Sequence, residues 1–211
     1  MIVRNNFRCC RGDLMASYEK PMKRIRVKIV LIGDGGVGKT SIAKRYLGES
    51  FEHEYKRTIG ADFYVKRNVY EDPDLGKIMF EWLIWDLAGQ PAYNEVRPLY
   101  YRGAQGALLV FDVTRPETYY NLPKWLSEYW KHCGAVLPFV LVGNKIDIRD
   151  SSPNPVPPEA GKEYAKITSK TVGVQIPYIE TSAKTGENIN EAFNFLANVI
   201  LSYTKLKLQK K

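Results

Sequence analysis

An almost unbroken apolar run, Val27-Lys28-Ile29-Val30-Leu31-Ile32, passes directly into Gly33-Asp34-Gly35-Gly36-Val37-Gly38-Lys39-Thr40-Ser41. No other stretch restricts the chain so severely. The apolar run reads as a strand buried on both faces, residues 41–47 continue as helix, and the glycine-rich segment fits G-x-x-x-x-G-K-[ST]. Its glycines let the backbone turn back so tightly that successive N–H groups and a positive helix N-terminus converge on phosphate oxygens. Lys39 adds a fixed positive charge for β and γ phosphates. The Thr40 hydroxyl is a hard oxygen ligand suited to Mg²⁺, an ion that keeps several waters and takes few protein groups. Asp34, Gly35, Gly36, Val37, Gly38, Lys39, Thr40 and Ser41 are therefore the phosphate-site candidates. The motif leaves the base open between adenine and guanine, and the reaction open between kinase, ATPase and GTPase.

Elsewhere the chain follows an α/β pattern. Alternating ADFYVKRNVY (61–70) and GKIMFEWLIWD (76–86) flank Glu71-Asp72-Pro73-Asp74-Leu75, which predicts two antiparallel strands joined by a turn. Strands at 107–113, 138–144 and 177–182 then alternate with helices near 117–132, 158–169 and 188–206. Together these predict a mostly parallel six-stranded sheet with one antiparallel strand and helices on both faces. The proline cluster SSPNPVPP (151–158) reads as a surface loop, because only one strand and two helices follow it. A length of 211 residues suits one domain with short tails: a flexible basic extension at 1–24, the domain at 25–204 and a basic tail at 205–211.

Composition narrows the function classes. Hydrophobic residues make up 45% and no apolar run reaches the roughly 18 residues of a membrane span, so a soluble, cytoplasmic protein is expected. Residues 1–16 lack the apolar centre of a secretory signal. Cys9, Cys10 and Cys133 are too few for a disulfide framework, and none has metal-ligand spacing with His53 or His132. The net charge of +8 sits largely near the ends, at Arg4, Arg8, Arg11, Lys20, Lys23, Arg24, Arg26 and Lys28, and again at Lys205, Lys207, Lys210 and Lys211. No aromatic-basic stripe accompanies it. Nucleic-acid binding is not expected, whereas weak contact of the basic tails with an anionic membrane surface is.

The base is addressed by Gly143-Asn144-Lys145-Ile146-Asp147, at the end of the strand PFVLV, where open α/β sheets bind ligands. A carboxylate at Asp147 can accept from both N1–H and the exocyclic amine of guanine, and adenine offers neither. A polar site left unpaired discriminates by about 10⁴ to 10⁵-fold. The string resembles that of guanine-nucleotide proteins, and the resemblance implies that Asn144 ties this loop to the phosphate loop and that the Lys145 stem covers one face of the base. Thr181-Ser182-Ala183-Lys184 follows the last strand. These strings, in this order after the phosphate loop, resemble those of guanine-nucleotide proteins; the resemblance implies that Ser182, Ala183 and Lys184 belong to the base site and that the Ala183 N–H reaches guanine O6.

Two further segments carry the resemblance to the Rab branch of the Ras superfamily. Asp86-Leu87-Ala88-Gly89-Gln90 ends a strand, and FEHEYKRTIGADF (51–63) is similar to the Rab effector segment. With LYYRGAQGALLVFDVT, GNKID and ETSAKTGENINEAF, the likeness covers residues 25–204. It implies a P-loop NTPase fold, a GTP or GDP ligand with Mg²⁺, slow intrinsic GTP hydrolysis, and effectors recruited in the GTP state. It further implies an exchange factor, a GTPase-activating protein, a monomer, and a peripheral place at a membrane in trafficking. Asp86 would act on the metal through a bound water, with Thr40 and Thr58 as metal ligands. Gly89 would offer its N–H to the γ-phosphate, and Gln90 would orient the attacking water, so that Gln90, Lys39 and Gly89 form the catalytic set. Phe51 and Tyr55 would contact the base edge and shield the phosphates. Segments ordered by the γ-phosphate and released on hydrolysis make a switch.

The chain departs from that pattern twice. Pro91 follows Gln90 where Rab proteins usually carry glutamate, and proline holds its predecessor extended. This keeps a second reading open, a GTP-binding scaffold with negligible hydrolysis. The final KLKLQKK contains no cysteine, so prenylation is not expected. Phe7-Arg8-Cys9-Cys10-Arg11 reads first as a pair of inert cytosolic thiols, with acylation beside positive charge as the alternative. Arg57, next to Thr58, reads as a solvated loop charge.

Overall fold

The computed structural model describes residues 22–51 and 57–209. Tyr55, Cys9 and Cys10 lie outside them. Strand β1 (Lys23–Ile32) leads through the glycine-rich turn into helix α1 (Lys39–Leu47). Strands β2 (Ala61–Asp72) and β3 (Gly76–Leu87) form the antiparallel hairpin. Then come α2 (Pro98–Tyr101), β4 (Gly106–Asp112), α3 (Pro116–Tyr120), α4 (Leu122–Cys133), β5 (Phe139–Asn144), α5 (Pro158–Val172), β6 (Tyr178–Thr181) and α6 (Ile189–Gln209).

The sheet has six strands in the order β2-β3-β1-β4-β5-β6, parallel except for the β2–β3 pair, as the sequence pattern predicts. The residues of β4 and β5 are wholly buried, which is why their sequences carry no alternation. Tyr46 of α1 stacks on Phe193 of α6 with ring centroids 3.5 Å apart, and Trp82 of β3 meets Phe193 edge-on at 6.2 Å. These aromatics seal the hairpin to the helices. Because parallel strands place their carboxyl ends together, the turns after β1, β4, β5 and β6 gather along one rim, joined by the end of β3.

Three boundaries differ from expectation. The helix near 117–132 is two helices meeting at Asn121: Pro123 has no N–H to give the Tyr119 carbonyl, so the ladder breaks and restarts with proline in its first turn. Strand β1 begins at Lys23, so Lys23 and Arg24, expected in the extension, pair with Ile78 and Met79. Helix α6 runs on to Gln209 and takes in residues expected as a tail. There Lys205 Nζ donates to Asp72 Oδ1 and Oδ2 at 2.9 and 2.8 Å and to Asp74 Oδ2 at 2.7 Å, tying the helix to the β2–β3 turn. None of the described helices is long and apolar enough to cross a membrane.

Candidate functional site

The glycine-rich turn is shaped by what crosses it. Gly38 precedes α1 with φ of 102°, and a Cβ there would lie 2.2 Å from Asn144 Nδ2. Both the left-handed backbone and the neighbour demand glycine. Lys39, 6% exposed, folds over the loop and donates to Gly33 O at 2.7 Å and Asp34 O at 2.9 Å. Burial pushes its pKa down to about 8, against the opposing pull of the Asp86 and Asp34 carboxylates.

A cavity of about 360 Å³ opens above the loop, lined by Gly35, Gly36, Gly38, Lys39, Thr40 and Ser41 from this segment. The side chains of the other two phosphate-site candidates point elsewhere. Val37 is in the core, and the Asp34 carboxylate accepts from Asn121 Nδ2 at 2.7 Å and Trp125 Nε1 at 2.6 Å, anchoring the loop to the start of α4.

At one end of the cavity three oxygens converge. Thr40 Oγ1 donates to Asp86 Oδ2 at 2.5 Å and lies 2.9 Å from Thr58 Oγ1. Asp86 is fully buried, and burial pushes its pKa up to about 6 despite the opposing pull of Lys39 and Thr40. Among the described residues, two buried side-chain atoms lack a hydrogen-bond partner: Asp86 Oδ1, in this corner, and Gln90 Oε1, on a residue that lines the cavity. Buried acceptors are rarely left unpaired without a reason. Two hydroxyls, a carboxylate and its orphaned oxygen fit a hard divalent cation such as Mg²⁺.

Gly89 and Gln90 lie against the loop. A Cβ on Gly89 would meet Asp34 C and Gly33 O at 2.5 Å, so only glycine fits so close to the phosphate-loop backbone. Gln90 is extended (φ −79°, ψ 148°), as Pro91 requires, and its side chain rests beside Gly35. Arg97, 2% exposed, steadies this stretch by donating to Ala88 O at 2.9 Å and Glu128 Oε1 at 2.6 Å while lying 4.2 Å over the Trp125 ring.

The opposite end is bound by Asn144. Its Nδ2 donates to Val37 O at 2.8 Å, and its Oδ1 accepts from Thr181 Oγ1 and the Ala183 N–H, each at 3.1 Å. The Ala183 N–H, expected to face guanine O6, is thus directed to Asn144. Ser182 Oγ donates to Asp147 Oδ1 at 2.6 Å and orients that carboxylate. Lys145 adopts φ of 72°, unusual for a side-chain-bearing residue, and its Nζ pairs with Asp112 Oδ2 at 2.7 Å. Burial opposes ionisation of Asp112, yet hydrogen bonds from Lys145 and Thr114 outweigh it and hold the carboxyl below its ordinary range. Arg115 joins the same carboxylate at 3.1 Å and donates to Gly35 O at 3.0 Å, linking the base and phosphate loops. Phe51, Thr58, Gly89, Gln90, Asn144, Lys145, Asp147, Ala183 and Lys184 also line the cavity, and Lys44, Ser50 and Ile148 complete its wall.

Sequence reasoning singled out none of Asp112, Arg115, Asn121, Trp125 and Arg97. Asp112 left one signal, an acid ending an otherwise apolar strand; the others act through partners distant in the chain.

A sequence model of the Ras family matches residues 28–202. The chain is 37% identical over 179 residues to the Ras-related protein RABG3f of Arabidopsis thaliana and to the Ras-related protein Rab7 of Pisum sativum. In both cases 83% of this chain and 82% of the relative are covered. It is 37% identical over 174 residues to the Ras-related protein Rab-31 of Homo sapiens, covering 82% of this chain and 83% of that protein. With a glycine-rich phosphate loop, an Asn144–Asp147 base loop and the Asp86–Gln90 strand end meeting round one cavity, the chain belongs to the Ras family as a Rab-like small GTPase.

Proposed function

We propose that the protein is a Mg²⁺-dependent GTP switch in membrane trafficking, whose GTP form recruits effectors from a peripheral position at a cytoplasmic membrane surface. The observation that carries this reading is the meeting of Thr40, Thr58 and Asp86, whose buried Oδ1 has no partner. Bound Mg²⁺ would supply charge to neutralise the β and γ phosphates, held by Thr40, Thr58 and, through water, Asp86. Lys39 and the loop N–H groups hold the phosphates. Gly89 brings its N–H to the γ-phosphate side, and Gln90 orients the attacking water. Asp147, aimed by Ser182, accepts from the base, Lys145, Ala183 and Lys184 line the pocket around it, and Phe51 covers its edge.

Phe63 and Tyr100 both pack on Trp85, and Ile59 and Leu99 are 80% and 76% exposed, apolar side chains suited to effectors. An exchange factor and an activating protein act on the monomer. The second reading, a scaffold that scarcely hydrolyses, is favoured by one observation, the Gln90 side chain held beside Gly35 with its carbonyl oxygen buried.

The test is a single turnover: protein stripped of nucleotide, reloaded with Mg·GTP and followed by phosphate release, with Gln90→Leu alongside. Slow release, reduced about 10- to 100-fold by the substitution with GTP affinity unchanged, supports the switch. Tight GTP binding with no release from either protein supports the scaffold.

A further inference from the structure

Helix α1 touches both ends of the nucleotide cavity. Its first residues, Lys39 and Thr40, serve the phosphate end, and near its last turn Arg45 reaches across to the loop after β6. Arg45 Nε donates to Ala183 O at 3.0 Å, and Nη2 donates to Lys184 O. The same side chain runs beneath Gly186, where a Cβ would lie 3.7 Å from Arg45 Cδ. One guanidinium therefore holds two successive carbonyls of a loop that has no strand or helix partner for them.

We infer that Arg45 is a positioning residue for the guanine-binding loop, an assignment that rests on the guanine-site reading of Asp147 and Ala183. The geometry is specific. Asn144 fixes the Ala183 N–H from one side, and Arg45 fixes the Ala183 and Lys184 carbonyls from the other, so both peptide units flanking Ala183 are oriented. Ala183 is 3% exposed, so water cannot readily replace the donor at its carbonyl. Thr185 N–H and Gly186 N–H close the turn on Ser182, whose hydroxyl aims Asp147, and the loop moves as a unit with the carboxylate that reads the base. A planar fork of donors holds the two neighbouring carbonyls in fixed directions; a lysine ammonium is a point charge with freely rotating donors and imposes no such orientation. Through this contact the nine-residue helix α1 couples phosphate grip to base recognition.

The experiment measures nucleotide release from wild type, Arg45→Lys and Arg45→Ala, each preloaded with GDP, GTP or the diphosphate of 2-aminopurine riboside, which lacks O6 and the N1 proton and so offers Asp147 one donor where guanine offers two. Arg45→Ala is expected to release GDP and GTP about 10- to 100-fold faster, and Arg45→Lys to fall between it and wild type. The acceleration should shrink for the 2-aminopurine nucleotide, and the single-turnover hydrolysis rate should move far less than release. Should Arg45→Ala fail to fold, judged by its melting curve, Arg45→Lys carries the same comparison. Equal acceleration for both bases would overturn the assignment, leaving only a general loosening of α1. A base-selective wild type whose variants release at its own rate would overturn Arg45 alone, whereas a wild type indifferent to the base would overturn the guanine-site reading and Arg45 with it.

Discussion

At the base end of the cavity, Asn144 makes three hydrogen bonds within the protein, Ser182 holds Asp147 and Arg45 holds the Ala183 and Lys184 carbonyls. At the phosphate end, Thr58 comes in on a hydroxyl contact to Thr40, and Asp86 and Gln90 each keep a buried acceptor with no partner. The difference assigns the two ends different tasks. On the proposed reading, a base loop satisfied by its own side chains is formed in advance and would treat diphosphate and triphosphate alike. A corner with orphaned acceptors is completed by what binds there, so its free energy depends on the bound phosphates.

The largest effect expected from this contrast comes from Asp147→Asn. The amide reverses one donor–acceptor pairing, so GDP and GTP should both weaken by about 10⁴-fold while xanthine nucleotides gain. Competition binding with GDP, GTP and XDP reads this directly. An unchanged preference for guanine would remove Asp147 from the base site. Unequal losses for GDP and GTP would break the separation between the ends.

At the phosphate end the effect should be smaller and unequal. Thr58→Ala deletes one of the three converging oxygens and should cost GTP about tenfold in the presence of Mg²⁺, with GDP affinity nearly unchanged. Titration calorimetry of the two nucleotides gives the ratio. Equal weakening of both would mean that Thr58 supports the cavity in every state and senses nothing.

The same contrast explains what could be read from the chain. The phosphate loop and the 144–147 segment were legible because their chemistry is local: glycine conformations, a following helix and a strand end fix where Lys39, Thr40 and Asp147 stand. The buried strands β4 and β5 were legible from their unbroken apolar runs. The anchors were not. Asp34 resembles a loop ligand until Asn121 and Trp125, 87 and 91 residues away, claim its carboxylate. Arg115 reaches Gly35 from 80 residues away, and Arg45 reaches Ala183 across 138. Neither residue lies in a motif, and each is recognised only after the sheet order brings the strand ends to one rim. The break at Asn121 and the extra turn of α6 escaped for a related reason. Pro123 was one weak signal inside an apolar period, and the basic segment after Thr204 is held as helix by Asp72 and Asp74, acids on the far hairpin.

That last contact supplies the smallest effect and a control for both ends. Lys205 holds the Asp72 carboxyl below its ordinary range, chiefly through their hydrogen bonds, and is itself raised by Asp72 and Asp74. A carboxyl depressed in the folded state contributes stability that is present at neutral pH and lost as pH falls through its folded pKa; the raised lysine loses its share only as pH rises through its own. Lys205→Ala should therefore lower Tm by no more than a few degrees at neutral pH, and its difference from wild type should narrow as the solution is acidified. Because the clamp joins α6 to the β2–β3 turn, away from the rim, GDP and GTP release should stay at wild-type rates. Faster release of GTP alone would show that strain in the hairpin, which ends beside Asp86 and begins beside Thr58, reaches the phosphate corner. The separation between a prebuilt base end and a ligand-completed phosphate end would then extend through the length of the sheet.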